Sequence, residues 1–222
     1  MQSEIIKNDF NEIALLDDKN KWNHNNCYYK SLIKLIPENA VNCLEIGCGK
    51  GDLSFLLSDK CKNVIAVDFA EKMIDYAKNN NSRKNISYIC ADILDFNFSD
   101  MTFDVIISVA TVHHLPDDWI FEFALRKLNK GGKLIILDIP RSDSIPEKIF
   151  WGFAVIPNFF VSSLKKRSFS GSDKLTKIAW DNHGQHDSYH SVREIKEIAL
   201  NTLPEIQLKR KLFWRYLLVW KK

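Results

Sequence analysis

The sequence predicts an α/β fold with a mostly parallel sheet, and three observations support that fold class. Short apolar runs alternate with amphipathic stretches between residues 41 and 139, as they do in strand–helix–strand units. A glycine-rich turn follows the first apolar run, and an acidic residue stands at or just after the end of each of the next two. The 222 residues, 45% of them hydrophobic and 27% charged, are enough for one well-packed domain.

The first two thirds of this single domain, which spans residues 1–222, contain the predicted parallel sheet. Residues 1–36 form a helical N-terminal cap, and residues 40–140 form the core. Strands of the core are expected at 41–46, 63–67, 86–90, 103–109 and 132–139. Helices between them are expected at 51–59, 71–80 and 117–128. The Gly131–Gly132 pair marks the turn into the fifth strand.

The alternation stops after Pro140. Residues 141–190 contain no clean strand pattern, and we interpret them as a helical insertion that covers one end of the sheet. Residues 191–222 predict a helix at 191–202 and closing strands at about 205–211 and 213–220. The link between these strands is so short that a tight hairpin and a continuous bulged strand are both compatible with it. Four basic residues here are expected on the solvent-exposed face, namely Lys209, Arg210, Lys211 and Arg215.

Composition limits the classes of partner. A formal charge of +3 without a long basic block does not call for nucleic acid. Five cysteines without Cys-x-x-Cys spacing indicate reduced thiols and a cytoplasmic location. No apolar run approaches the roughly 18 residues of a membrane span, so no transmembrane segment is expected. A weak contact of residues 149–167 with an anionic membrane surface stays open as an alternative.

The clearest functional signal is the run Val-Asn-Cys-Leu-Glu-Ile-Gly-Cys-Gly-Lys-Gly at the end of the first strand. Its acid is Glu45, and its glycines, Gly47, Gly49 and Gly51, allow a sharp turn and a close approach of the backbone to a ligand. A helix that starts near Asp52 would aim its free N–H groups into this loop. The order of strand, acid, glycine loop and helix therefore predicts a nucleoside-cofactor site.

Spacing and charge discriminate between the cofactors that such a loop can hold. The dinucleotide fingerprint is Gly-x-Gly-x-x-Gly, whereas Asp52 stands here in place of the third glycine. An acid in the first helical turn would repel a pyrophosphate, and Glu45 beside the loop suits a positively charged ligand. S-adenosylmethionine carries a sulfonium and an ammonium group and no phosphate. We therefore expect S-adenosylmethionine, and not NAD, as the cofactor.

Residues after the second and third strands extend the predicted cofactor site. Asp68 ends the second strand, where it can accept hydrogen bonds from both ribose hydroxyls. Phe69 and Met73 follow on the adjoining turn and can pack against adenine. Asp92, followed by Ile93, comes after the third strand and can accept a hydrogen bond from the adenine amino group. All of them lie at carboxyl ends of strands, where open α/β sheets bind ligands.

These motifs resemble those of the class I S-adenosylmethionine-dependent methyltransferases. The glycine loop matches the family's first motif, and Asp68, Asp92–Ile93 and the turn at 128–133 match its later motifs. The resemblance covers residues 40–140. It implies a Rossmann-like sheet of seven strands in the order 3-2-1-4-5-7-6, with one strand reversed and helices on both faces. It also implies methyl transfer from S-adenosylmethionine, without naming the acceptor.

The flanks are similar to those of a subgroup of small bacterial methyltransferases. The shared segments are Trp22–Asn25 ahead of Tyr28, and Trp214–Trp220 near the end of the chain. Tyr28 is expected to line the cofactor pocket, although sealing the core is an equal alternative for it. His24 is a candidate base if the N-terminal segment folds over the pocket.

The fourth strand brings Ser108 and then His113 and His114 to the same edge of the sheet. Ser108 is expected to contact the cofactor. If the acceptor is a hydroxyl or a protonated nitrogen, a general base assists, and His113 and His114 are the candidate catalytic residues. Capping of the next helix, or contact with the cofactor through the backbone, is the alternative for both histidines.

The acceptor is expected to be a small molecule, apolar or aromatic, because the insertion is rich in aromatic side chains. They are Phe150, Trp151, Phe153, Phe159 and Phe160. A methyltransferase acting on RNA or protein is the first alternative, and a cofactor-binding protein without transferase activity is the second. His183, His186 and His190 have spacings that could approach a metal on a helix, but their polar surroundings indicate a loop, and no metal is predicted.

Overall fold

A seven-stranded sheet forms the centre of the protein. The computed structural model describes residues 2–16, 23–141 and 188–222. The strands are β1 (Asn42–Ile46), β2 (Asn63–Asp68), β3 (Ile86–Cys90), β4 (Phe103–Val109), β5 (Leu128–Asp138), β6 (Gln207–Lys211) and β7 (Arg215–Lys221). Their order is β3-β2-β1-β4-β5-β7-β6, and β7 alone among these strands runs antiparallel to its neighbours β5 and β6. The predicted strand order and single reversed strand are confirmed.

Helices cover both faces of the sheet. They are α1 (Gln2–Ala14), α2 (Tyr29–Ile33), α3 (Asp52–Leu57), α4 (Glu71–Asn80), α5 (Trp119–Lys127) and α6 (Val192–Thr202). Single 3-10 turns lie at Asn26–Tyr28 and Val112–His114. Successive strand residues point to opposite faces, so Cys43 packs with α2 and α3 while Leu44 packs with α5 and α6.

Two boundaries differ from the sequence expectation for physical reasons. Strand β5 begins at Leu128, which pairs with Phe103 before the register shifts and Val105 pairs with Lys133. Gly131, with φ of 83°, lies in this irregular stretch, so the Gly131–Gly132 pair is part of the strand and does not precede it. Helix α3 ends at Leu57, two residues before the predicted end.

The closing strands form a hairpin, which decides between the two possibilities that the sequence left open. Residues 212–214 connect β6 to β7, and Lys211 pairs with Arg215. Phe213 and Trp214 have φ of 57° and 52°, the left-handed conformation that suits the twist of a hairpin. The hairpin places the first residue of β7 at the carboxyl edge of β5.

The predicted insertion at 141–190 lies outside the described residues except at its two ends. These ends meet, because the Arg141 backbone N–H donates to the carbonyl of His190 over 2.8 Å. A capping box follows, in which the Ser191 hydroxyl accepts from the Glu194 N–H and the Glu194 side chain accepts from the Ser191 N–H. The segment 149–167 also lies outside the described residues. No described helix is long and apolar enough to cross a membrane.

Candidate active site

A cavity of about 400 Å³ opens at the carboxyl ends of β1, β2 and β4, beneath helix α1. Ten of the residues selected from the sequence line it: Glu45, Gly47, Gly49, Asp68, Phe69, Met73, Asp92, Ile93, His113 and His114. The structure thus brings together side chains that are as much as 69 residues apart in sequence, from Glu45 to His114. Strand order explains this, because β1 lies between β2 and β4.

The glycine loop packs tightly at one glycine and opens to the cavity at the next. Gly47 has φ of 73°, and a Cβ built there would lie 2.0 Å from the Thr111 Oγ1. Gly49 has φ of 51°, and a Cβ there would have no neighbour within 4 Å. Gly47 therefore lets the loop pack against the segment after β4, whereas Gly49 leaves space in which a ligand can approach the backbone.

Two buried carboxylates flank this loop. The Asp68 Oδ2 accepts from the Gly49 N–H over 2.8 Å, and its Oδ1 accepts from the Ala70 N–H over 2.9 Å. Burial raises the pKa of Asp68, and these hydrogen bonds oppose the rise. Burial also raises the pKa of Glu45 to about 8, against a hydrogen bond that its carboxylate accepts from the Ser54 hydroxyl. Positive charge on a ligand would stabilise both carboxylates in their ionised form.

Three further residues predicted to bind cofactor do not line the cavity and have other contacts. The Tyr28 hydroxyl donates to the Leu212 carbonyl over 2.8 Å, and its neighbour Tyr29 lines the cavity instead. The Ser108 hydroxyl donates to the Ile46 carbonyl over 2.9 Å and so joins β4 to β1.

The third, Gly51, precedes α3 with φ of 80°, and a Cβ there would come within 2.5 Å of the Tyr88 hydroxyl. These contacts explain the three residues as supports of the cavity wall. Direct contact of Tyr28, Gly51 or Ser108 with a cofactor finds no support in this geometry.

His113 is held by a carboxylate that sequence reasoning missed. Its Nδ1 lies 2.7 Å from the Asp138 Oδ1, and its backbone N–H donates to the Asp138 Oδ2 over 3.0 Å. Asp138 is fully buried, yet the His113 imidazole and the hydrogen bonds from His113 and Ile139 outweigh burial and lower its pKa. An acid that closes the apolar run Leu-Ile-Ile-Leu of β5 was the signal available in the sequence.

The other candidate histidines have aromatic neighbours. The His114 ring lies 4.0 Å from that of His113 and 5.8 Å from that of Phe10, in an edge contact with the latter. The His24 ring stacks on Phe213 at 5.5 Å, against the terminal hairpin. Within the ranges that the structure describes, no three His, Cys, Asp or Glu side chains form a metal-binding group, and His183 and His186 lie outside those ranges.

The expectation that Arg215 faces solvent is wrong. Arg215 is 7% exposed and lines the cavity, whereas Lys209 and Arg210 are exposed. Its Nε donates to the Asn25 Oδ1 over 2.8 Å, and its Nη1 donates to the carbonyls of residues 213 and 214. Because β7 begins where β5 ends, with Tyr216 opposite Asp138, the Arg215 side chain reaches the cavity.

Comparisons with known proteins agree with this geometry. The sequence profile of the methyltransferase-domain family matches residues 44–136. Over 160 residues the chain is 28% identical to a demethylmenaquinone methyltransferase of Lactobacillus johnsonii, covering 67% of this chain and 63% of that protein. Over 116 residues it is 34% identical to a ubiquinone biosynthesis O-methyltransferase of Coxiella burnetii, covering 51% of this chain and 50% of that protein. The chain thus matches between half and two thirds of the length of these relatives.

A solved structure extends the likeness to the whole fold. The N-methyltransferase NodS from Bradyrhizobium japonicum, crystallised with S-adenosyl-L-homocysteine, matches with a TM-score of 0.64 over 98% of both chains at 17% identity. This identity is too low to transfer more than the fold. The profile match and the fold agree with one another. Residues 44–136 match the methyltransferase-domain family, and the described residues have the fold of a class I S-adenosylmethionine-dependent methyltransferase.

Proposed function

We propose that this protein binds S-adenosylmethionine and transfers its methyl group to a small acceptor. The observation that carries the proposal is the arrangement of Glu45 and Asp68 on either side of a glycine loop that is open at Gly49. Two buried carboxylates suit a ligand with positive charge and a ribose, and they would repel a pyrophosphate. The residues therefore fit S-adenosylmethionine better than a dinucleotide.

Each part of the cofactor has a matching group on the cavity wall. Asp68 accepts from the ribose hydroxyls, and its carboxylate is already oriented by two backbone N–H groups. Phe69, Met73 and Ile93 supply apolar contact for adenine, and the exposed Asp92 accepts from its amino group. The Glu45 carboxylate, on the other side of the loop, faces the positively charged part of the cofactor.

When bound, S-adenosylmethionine supplies a methyl group activated by its sulfonium. The protein has to align the acceptor with that group and keep water away, which accounts for much of the rate in reactions of this kind. Ile6, Phe10 and Ile13 of α1 form an apolar cover over the cavity. This cover excludes water from the space in which acceptor and cofactor meet.

His113 is the group we assign as general base for a hydroxyl or protonated nitrogen acceptor. It lines the cavity, and Asp138 fixes the orientation of the ring through Nδ1. Asp138 acts as a positioning residue, and its carboxylate stabilises the imidazolium that forms. His114 contributes to the same wall beside it.

The acceptor that this site favours is a small molecule with an apolar body. Apolar side chains line the end of the cavity near His113, among them Leu115 and Ile139. The two relatives named above carry names that refer to demethylmenaquinone and to ubiquinone biosynthesis, which supports a small organic acceptor. The aromatic residues of the insertion lie outside the described residues.

Ligand binding tests the proposal directly. S-adenosylhomocysteine is expected to raise the melting temperature of the protein, and NAD is not, because only the former satisfies Glu45 and Asp68 without a pyrophosphate. By calorimetry, Asp68→Asn should weaken S-adenosylhomocysteine about tenfold or more, as the loss of charged hydrogen bonds predicts.

Asp75→Asn is the matched control, because this acid is exposed on α4. It should bind S-adenosylhomocysteine like the wild type. Stabilisation by NAD in place of S-adenosylhomocysteine would refute the proposal. Wild-type affinity in Asp68→Asn would show that the ribose lies elsewhere.

A further inference from the structure

Acidic and basic side chains lie at opposite ends of the cavity, along the edge of the sheet. Its buried acids, Glu45 and Asp68, lie at the carboxyl ends of β1 and β2, whereas Arg215 begins β7. Strands β2 and β7 are four positions apart in the sheet, which corresponds to roughly 19 Å at a strand spacing of about 4.8 Å. A positive group therefore stands at the end of the cavity away from the proposed ribose site and near His113.

Arg215 has only one side of its guanidinium occupied. Nε donates to Asn25, and the two hydrogens of Nη1 are accounted for by the carbonyls of Phe213 and Trp214, at 3.3 and 2.9 Å. Nη2 donates to no atom of the residues that the structure describes. Since a guanidinium carries five N–H donors, the two on Nη2 are available at the cavity wall.

The charge of Arg215 is not neutralised by an ion pair with any described carboxylate. Asp138 is the acid that acts on it most strongly, but the oxygens of Asp138 accept from His113 and Ile139. Burial lowers the pKa of Arg215, which reflects how costly its desolvated charge is. An incoming anion would relieve that cost.

We infer that Arg215 binds an acidic oxygen of the methyl acceptor, so that the acceptor combines an apolar body with a carboxylate, a phosphate or an ionised phenol. The inference rests on the proposed function and specifies its substrate class. Planar guanidinium donors suit such oxygens, and Asn25 holds the guanidinium in place. An anion at Nη2 places the adjoining part of the acceptor beside His113.

The carboxylate of the cofactor itself has the same chemistry, so the experiment has to separate the two sources. The cofactor tail beyond the ribose is about two residues long, roughly 7 Å, which is short compared with the separation of β2 and β7. The first arm therefore compares S-adenosylhomocysteine with methylthioadenosine, which lacks the carboxylate, in the wild type and in Arg215→Gln. The affinity of Arg215→Gln for each ligand should be within about twofold of the wild-type affinity.

The second arm measures matched acceptor probes on protein saturated with S-adenosylhomocysteine. Benzoate should bind more tightly than benzamide, and phenyl phosphate more tightly than phenol, in the wild type. Arg215→Gln should weaken benzoate about tenfold, the loss expected for a charged hydrogen bond. Arg215→Lys keeps the positive charge but lacks the planar pair of N–H donors, so its affinity for benzoate should fall between those of the wild type and Arg215→Gln. The exposed control Lys209→Gln should match the wild type.

The two arms distinguish a failure of the proposed function from a failure of the role assigned to Arg215. Failure of the wild type to bind S-adenosylhomocysteine would overturn the proposed function. Normal binding of S-adenosylhomocysteine without any preference for anionic probes would overturn only the role of Arg215. Selective weakening of S-adenosylhomocysteine, with methylthioadenosine unaffected, would assign Arg215 to the cofactor and overturn the acceptor assignment. If Arg215→Gln does not fold, the wild-type preference and Arg215→Lys decide.

Discussion

At the scale of single residues, Glu45 is a proposed cofactor-binding acid whose burial changes the pH at which it ionises. It is buried beside the glycine loop, and its pKa rises to about 8 from an ordinary value of 4.5. Between these values the unfolded chain releases the proton and the folded protein keeps it. Stability from this group is therefore complete below about pH 4.5 and is lost as the pH rises toward 8.

The loss of stability with rising pH leads to a prediction for Glu45→Gln. Denaturant unfolding at pH 5 and pH 8 should show that the wild type loses more stability across this interval than the variant, because glutamine cannot ionise. The difference between the two proteins isolates Glu45 from the other acids. Glu38→Gln, an exposed control, should keep the wild-type pH dependence. Equal pH dependence in wild type and Glu45→Gln would show that Glu45 is ionised in the folded state.

At the scale of elements, Asp138 joins β5 to the 3-10 turn after β4. One carboxylate accepts from both the backbone and the ring of His113, so two neighbouring strand ends are fixed to one another. Asp138→Asn should shift the titration of the His113 imidazole to lower pH, because the negative charge that stabilises the imidazolium is removed. NMR of labelled histidine measures this shift.

Asp117→Asn provides the matched control for that titration. The Asp117 carboxylate contacts the Nε2 of His190 at 2.7 Å, and Asp117→Asn leaves Asp138 intact, so the titration of His113 should stay in place. Assignment of the signals uses His113→Gln. An unchanged His113 titration in Asp138→Asn would contradict the role of Asp138 as the positioning residue.

Whether a site residue could be predicted depends on how far apart in sequence its contacts are. Gly47, Gly49 and Asp68 belong to strand ends whose local pattern defines their place, and these are the parts of the site that sequence reasoning located. Arg215 depends on a left-handed hairpin turn and on Asn25, which is 190 residues away in sequence. Alternation along one strand cannot reveal such a partner, and for Arg215 it indicated the wrong face.

At the scale of the whole molecule, helix α1 closes the cavity from the side opposite the sheet. It is attached mainly to α4, through an ion pair of Lys7 with Glu71 at 2.9 Å and a hydrogen bond from the Lys72 N–H to Asn11. Exposed ion pairs of this kind stabilise little. Its apolar contacts include a small cluster, separate from the main core, that contains Ile13, Ala14, Ala70 and Met73. The Phe10 ring also makes edge contacts with Phe69 and His114.

A ligand in the cavity should therefore stabilise α1 more than any element of the central core. Ile6, Phe10 and Ile13 line the cavity, so a bound cofactor adds contacts to a helix that packs outside the main core. Saturation with S-adenosylhomocysteine should slow amide hydrogen exchange in α1 about tenfold or more, while α6, on the opposite side of the sheet from α3, should change little. Phe10→Ala should reduce this protection together with the affinity. Protection that is uniform across the protein would show instead that α1 is no separate cover and that the ligand stabilises the domain as one unit.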